Sequence, residues 1–169
     1  MAENFFGFEG VEDAVQAKKG LFFKVPRQGF LEVVVLSEHA YGFVVHWFER
    51  KPQRCQLPGD CPCRRTQWPA DQRYALGVMD LSTSQIGALE IGAEAAREVA
   101  RLSARYNFLR GLVIRLKKTG EKQCGKIVVS SGVGSINPRE LPVAPDVEAL
   151  VDRSFVRAEQ TRLREFVAD

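Results

Sequence analysis

Long apolar runs are what this sequence most plainly lacks. None approaches the roughly 20 residues that span a bilayer, and the first residues do not show the basic-then-apolar pattern of a secretory leader. A membrane protein is therefore not expected, and the chain reads as intracellular and cytoplasmic. Histidine is scarce, with two in 169 residues. One of them, His39, lies in a Ser-Glu-His-Ala turn with no nucleophile at a fixed spacing, which gives a histidine-based catalytic site no footing. An excess of one charge is also missing. The net charge of +3 does not by itself announce a polyanionic partner, so the distribution of charge has to be read instead. No internal repeat is visible.

Cysteine is sparse too, but three of the four fall within nine residues, in Cys55-Gln-Leu-Pro-Gly-Asp-Cys61-Pro-Cys63. A strand-like run, Val44-Val45-His46-Trp47-Phe48, delivers a histidine just before them. The set His46, Cys55, Cys61 and Cys63 offers one imidazole and three thiols, and tetrahedral structural zinc is commonly held by three cysteines and a histidine. Strand alternation places His46 on the same face as Val44 and Phe48, while Pro52, Pro58 and Gly59 let the chain turn back on it. Arg54, Arg64 and Arg65 flank the cysteines and favour the thiolate, the form that binds metal. Reduced, unliganded thiols are the competing reading, to which so polar a loop gives little support. A disulfide is disfavoured, because Cys61 and Cys63 are too close to pair easily. Four ligands leave a zinc ion no open position, so the metal is expected to be structural and the chain not an enzyme.

The rest of the chain suits one domain with an appendage, long enough to bury a core. Residues 1–20 read as an N-terminal arm, acidic overall and carrying Phe5, Phe6 and Phe8. Strands are expected at Leu21–Val25, Phe30–Leu36, Tyr41–Phe48, Tyr74–Asp80 and Gln85–Ile91, each bounded by turn residues. The period then changes: a helix is expected over 93–106, with Ala96, Val99, Ala100, Ser103 and Tyr106 on its apolar face. Its arginines Arg97, Arg101 and Arg105 have Glu94 and Glu98 beside them, which points to a solvated, internally paired face. A hairpin follows, Leu112–Leu116 with Lys126–Ser130. Residues 132–145, rich in proline, read as a linker, and 146–169 as a C-terminal helix with Val147, Leu150, Val151 and Phe155 on its apolar edge. Short strands at this spacing predict a mainly β fold with one or two helices, a small antiparallel barrel or sandwich.

Positive charge collects in two places. Between His46 and Ala75 there are six basic residues against three acidic ones, namely Arg50, Lys51, Arg54, Arg64, Arg65 and Arg73. Between Arg105 and Lys126 there are seven against one, with Arg110, Arg115, Lys117, Lys118, Lys122 and Lys126 on the last hairpin and its loop. Such a cluster would attract a phosphate backbone, with affinity falling as salt rises. A solvated hairpin is the competing reading. Aromatic residues interleave with the first block, and Trp47 and Trp68 are the candidate platforms for stacked bases.

Taken in this order, the residues resemble the zinc-containing single-stranded-DNA-binding proteins of tailed phages and related mobile elements, over roughly Leu21 to Ser130. The landmarks are Leu21-Phe22-Phe23-Lys24 before a valine-rich strand, His46-Trp47, the Cys55-x5-Cys61-Pro62 closure, Tyr74 to Asp80, Leu89-Glu90-Ile91 before the helix, and Leu109-Arg110-Gly111 opening the last hairpin. The resemblance implies an OB-fold spanning 21–131, zinc on His46, Cys55, Cys61 and Cys63 in a loop at 46–63, and single-stranded DNA in the barrel groove during replication or recombination. Two details depart from the family pattern. Cys63 follows Pro62 directly where the family has Cys-Pro-x-Cys, and the C-terminal segment mixes six acidic residues with four arginines where the family often has an acidic tail. The expected function is sequence-tolerant binding of single-stranded DNA, with RNA also open. The alternative is a zinc-stabilised module that docks on a larger nucleic-acid-processing assembly or self-associates through the C-terminal helix.

Overall fold

A computed structural model describes residues 22–48, 51–55, 70–120 and 125–155. Its strands are β1 (Phe22–Phe23), β2 (Leu31–Val35), β3 (Tyr41–Phe48), β4 (Lys51–Arg54), β5 (Ala70–Asp80), β6 (Ile86–Gly92), β7 (Leu112–Thr119) and β8 (Lys126–Ser135). Helix α1 (Ala93–Tyr106) stands between β6 and β7, a 3-10 turn covers Pro138–Glu140, and residues 147–155 form a second helix, α2. No helix among the described residues is long and apolar enough to cross a membrane.

The mainly β expectation holds, and the strands form a single mixed sheet in the order β1-β6-β5-β2-β7-β8, with β3 pairing both β5 and β4. Among the described residues all ladders are antiparallel except β1 with β6. The sheet is open: β1 takes the edge of β6 that a closing strand would need. β5 is the spine. Its eleven residues are long enough to pair β6 on one side and, on the other, β3 with its first half and β2 with its second.

Because alternate residues of a strand face opposite sides, the sheet sorts its apolar residues into two layers. One face carries Val33, Val35, Leu76, Val78, Leu89, Ile91, Ile114 and Leu116 against α1, which contributes Ala95, Val99 and Leu102. Burying a side chain of this size stabilises by about 1.5–3 kcal/mol, so the helix is held chiefly by this contact. Its buried stripe is Ala95, Val99 and Leu102, whereas Ala100 and Tyr106 from the sequence-predicted face are exposed. The register of β6 into α1 sets this rotation. No side chain caps the helix start at Gly92, while Asn107 closes its end in the left-handed conformation at φ +59°. Arg101 pairs with Glu98 at 2.9 Å, as the charge pattern predicted.

The other face is covered by the C-terminal quarter of the chain. Residues 132–145 are not a linker. β8 runs through Ser135, and Leu141 then packs on Val34, Leu36 and Val113, with Ile136 and Ala144 alongside. Pro145 lies so close over Gly77 that a Cβ there would sit 2.7 Å from its Cδ. Helix α2 continues the cover, seating Val151 with Val147 and Phe155 on Phe43, Val45 and Ala75. The apolar edge predicted for this helix is the one it buries. The prolines break hydrogen-bonded regularity without preventing burial, because the carbonyls they leave behind find a donor in Arg110.

Candidate functional site

The β3–β4 hairpin holds the predicted metal residues that the structure describes. Sequence reading placed a loop from residue 49 onward, but Lys51–Arg54 is a strand, antiparallel to β3 with Val45 opposite Arg54 and His46 opposite Gln53. Pro52 hid it: proline is tolerated on an edge strand, where its missing N–H costs no ladder bond. The chain stays paired one residue further, since the Cys55 amide donates to the Val44 carbonyl at 2.8 Å. Residues directly opposite in an antiparallel ladder share a face, and diagonal neighbours on that face lie within reach of longer side chains. His46, Gln53, Val44 and Cys55 therefore share one face, with His46 and Cys55 diagonal to each other.

His46 is buried at 5% exposure. Among the described residues neither of its ring nitrogens has a hydrogen-bond partner. A neutral imidazole has one donor and one acceptor, and leaving either buried without a partner costs about 1–3 kcal/mol. An imidazole also ligates metal through a ring nitrogen, and Cys55 stands diagonally across the ladder from it on the same face. Cys55 is half-buried. Cys61 and Cys63 lie outside the described residues, and among those described no group of three or more potential ligands comes together.

Arg54 points away from this pair. It stacks over the Tyr41 ring at 5.6 Å, donates to the Tyr41 hydroxyl, and pairs with Asp152 of α2. The Tyr41 hydroxyl in turn donates to Glu148 at 3.3 Å. Burial foremost pushes the Tyr41 phenol above its usual range, with Arg54 opposing the rise and Glu148 adding to it. Arg54 fastens the C-terminal helix to the hairpin. Trp47, by contrast, is 39% exposed and open to a stacking partner.

Other predicted nucleic-acid contacts divide in the same way. Arg73 is held by Asp71 at 2.6 Å and Glu90 at 3.3 Å. Burial raises the Glu90 carboxyl above the usual range, partly offset by Arg73 and reinforced by Asp71. Arg110 is committed to the fold, donating to the carbonyls of Leu36, Leu141 and Pro142. Lys126 reaches Glu94 at 3.2 Å, although both side chains are mostly exposed. Arg115 bonds Glu32 at 2.7 Å, Lys117 is exposed and Lys118 half-buried. Lys51 lies in β4. Arg50, Arg64, Arg65, Trp68 and Lys122 lie outside the described residues.

The structure adds a residue that sequence reasoning treated only as part of a strand. Phe30 is 55% exposed, belongs to none of the three apolar clusters, and carries the Arg115 guanidinium 4.7 Å from its ring centre. Its place at the start of an apolar run, after Gln-Gly, was the available signal; what lay beside it required the β2–β7 register. No protein-family model, curated protein or solved structure matches the chain.

Proposed function

We propose that this chain is a sequence-tolerant binder of single-stranded DNA, built on an OB-type barrel and stiffened by one structural zinc ion. Support for the barrel comes from connectivity: β2 pairs both β5 and β7, β5 pairs β6, α1 falls between β6 and β7, and β8 returns against β7. An OB-fold is a five-stranded, partly open barrel whose ligand loops join its first and second and its fourth and fifth strands. Here the first of those connections is the β3–β4 hairpin with its cysteines, and the second is the lysine-bearing turn of β7 and β8. Both sequence-predicted charge clusters thus attach to the two loops that such a barrel uses. With Ala75 and Gly77 covered by α2 and Pro145, the loops rather than the middle of β5 would carry the contacts.

The observation that carries the metal is the buried His46 ring without a partner, on one face with Cys55. His46, Cys55, Cys61 and Cys63 would hold the ion, and the ion would supply rigidity, cross-linking the hairpin where it lacks a large core. Lys117 and its neighbours would hold phosphates, and Trp47 would stack on a base.

Anisotropy titration of labelled oligothymidine across a range of salt, on protein whose zinc content has been measured, tests the reading. Submicromolar binding that weakens steeply with salt, at one zinc per chain, is the expected result. Zinc with no binding even at low salt overturns the nucleic-acid reading and favours docking on a protein assembly.

A further inference from the structure

We infer that Phe30 is a stacking platform for an unpaired nucleobase, backed by Arg115 and accompanied by Lys117. The inference rests on the single-strand reading above and deepens it by naming a base-binding position. Arg115 stands opposite Glu32 on β2 and Ser130 on β8. Lys117 stands opposite Val128 on β8 and directly follows Leu116, whose β2 partner Leu31 directly follows Phe30. Residues opposite one another share a face. Lys117 and Val128 therefore share a face with Glu32, Arg115 and Ser130, and the Arg115 guanidinium over its ring puts Phe30 on that face too.

Three observations make this patch a ligand surface rather than stray exposure. Large apolar groups accompany a cation: Phe30 is 55% and Val128 49% exposed, and Lys117 on the same face is exposed. The cover formed by residues 136–145 seats on Val34, Leu36 and Val113 of the same face and does not enlist Phe30 or Val128. Finally, the platform is held in place. Glu32 fixes the Arg115 guanidinium at 2.7 Å, and that guanidinium lies over one side of the Phe30 ring. An aromatic ring so backed keeps its other side for a planar partner, and cation–π polarisation from an arginine is compatible with stacking. Glu32, the acidic member of this face, is already paired with Arg115, so the patch presents net positive charge to a phosphate. A base on Phe30 with its phosphate near Lys117 satisfies both.

The test compares wild type, Phe30→Ala and Phe30→Trp for binding to labelled oligothymidine and to an abasic deoxyribose-phosphate oligomer of equal length, in full-length, zinc-assayed protein. Base stacking contributes roughly 1–3 kcal/mol, so Phe30→Ala is expected to weaken oligothymidine binding by roughly 5- to 100-fold. The salt slope should not change, and binding to the abasic oligomer should not differ from wild type. Phe30→Trp should bind as wild type, with indole emission quenched by oligothymidine and not by the abasic oligomer. Wild-type binding with Phe30→Ala unaffected and Phe30→Trp unquenched overturns the platform while leaving the single-strand reading intact. Equal weakening on both oligomers also overturns it, since the ring would then act through the fold. No wild-type binding to oligothymidine at low salt overturns both.

Discussion

Replacing Arg110 with methionine separates two roles that its sequence position cannot distinguish. As a member of the basic hairpin cluster it would contact phosphate; in the structure it ties the C-terminal cover to the sheet. Its guanidinium donates to the Leu36 carbonyl on β2's exit, and one terminal nitrogen donates to Leu141 at 3.0 Å and Pro142 at 2.9 Å. The ion pair to Glu38 is long, 3.7 Å, and Glu38 is 71% exposed, so it adds little. Methionine keeps the apolar stem and removes every donor. Hydrogen bonds from a charged group contribute about 1.5–3 kcal/mol each, and bonds sharing one group are not additive. A total loss of about 3–5 kcal/mol is expected, which for a chain of this size lowers Tm by about 6–20 °C. Urea unfolding should show the same loss as a lower midpoint, and the oligothymidine salt slope should be unchanged. The opposite result, unaltered stability with a salt slope shallower by about 0.7, would refute the assignment and return Arg110 to the phosphate-binding set.

His46→Leu should reduce zinc content well below one per chain and destabilise the hairpin; a zinc-free variant more stable than wild type by about 1–3 kcal/mol would mean the ring was only an orphaned buried polar group. Gly77→Ala puts a methyl 2.7 Å from Pro145 and 2.9 Å from the Ser37 hydroxyl, and should cost about 1–3 kcal/mol, seen as faster amide exchange in residues 141–151. Asp80 closes the β5–β6 turn by accepting from the Ser82 amide at 2.8 Å and hydroxyl at 2.7 Å. Burial raises its pKa, but these bonds and those from Thr83 outweigh it and hold the carboxyl below the usual range. A pKa lower folded than unfolded gives stability that is complete above the unfolded value, near 4, and is lost as pH falls through the folded one. The stability advantage of wild type over Asp80→Asn should accordingly be flat from neutral pH down to about 5 and shrink below 4.

Sequence alone determined the features that depend on local pattern. Short apolar runs bounded by turn residues marked β2 and β3, the change of period near Gly92 to one near 3.6 marked α1 at residues 93–106, and the apolar edge of α2 was readable as Val147, Leu150, Val151 and Phe155. That His46 shares a strand face with Val44 was also visible, because strand alternation sets which way the histidine faces. Tertiary structure alone decided the rest, since it depends on which distant residues meet. Pro52 reads as a turn until an edge strand gives it a place, and the prolines of 138–145 read as a linker until Arg110 supplies their carbonyls with a donor. Each arginine looks the same in sequence. Whether it stays available for a ligand is settled by the carboxylates and carbonyls that packing brings to it: Arg54 goes to Asp152, Arg73 to Asp71 and Glu90, and Arg115 to Glu32, where it comes to lie over Phe30.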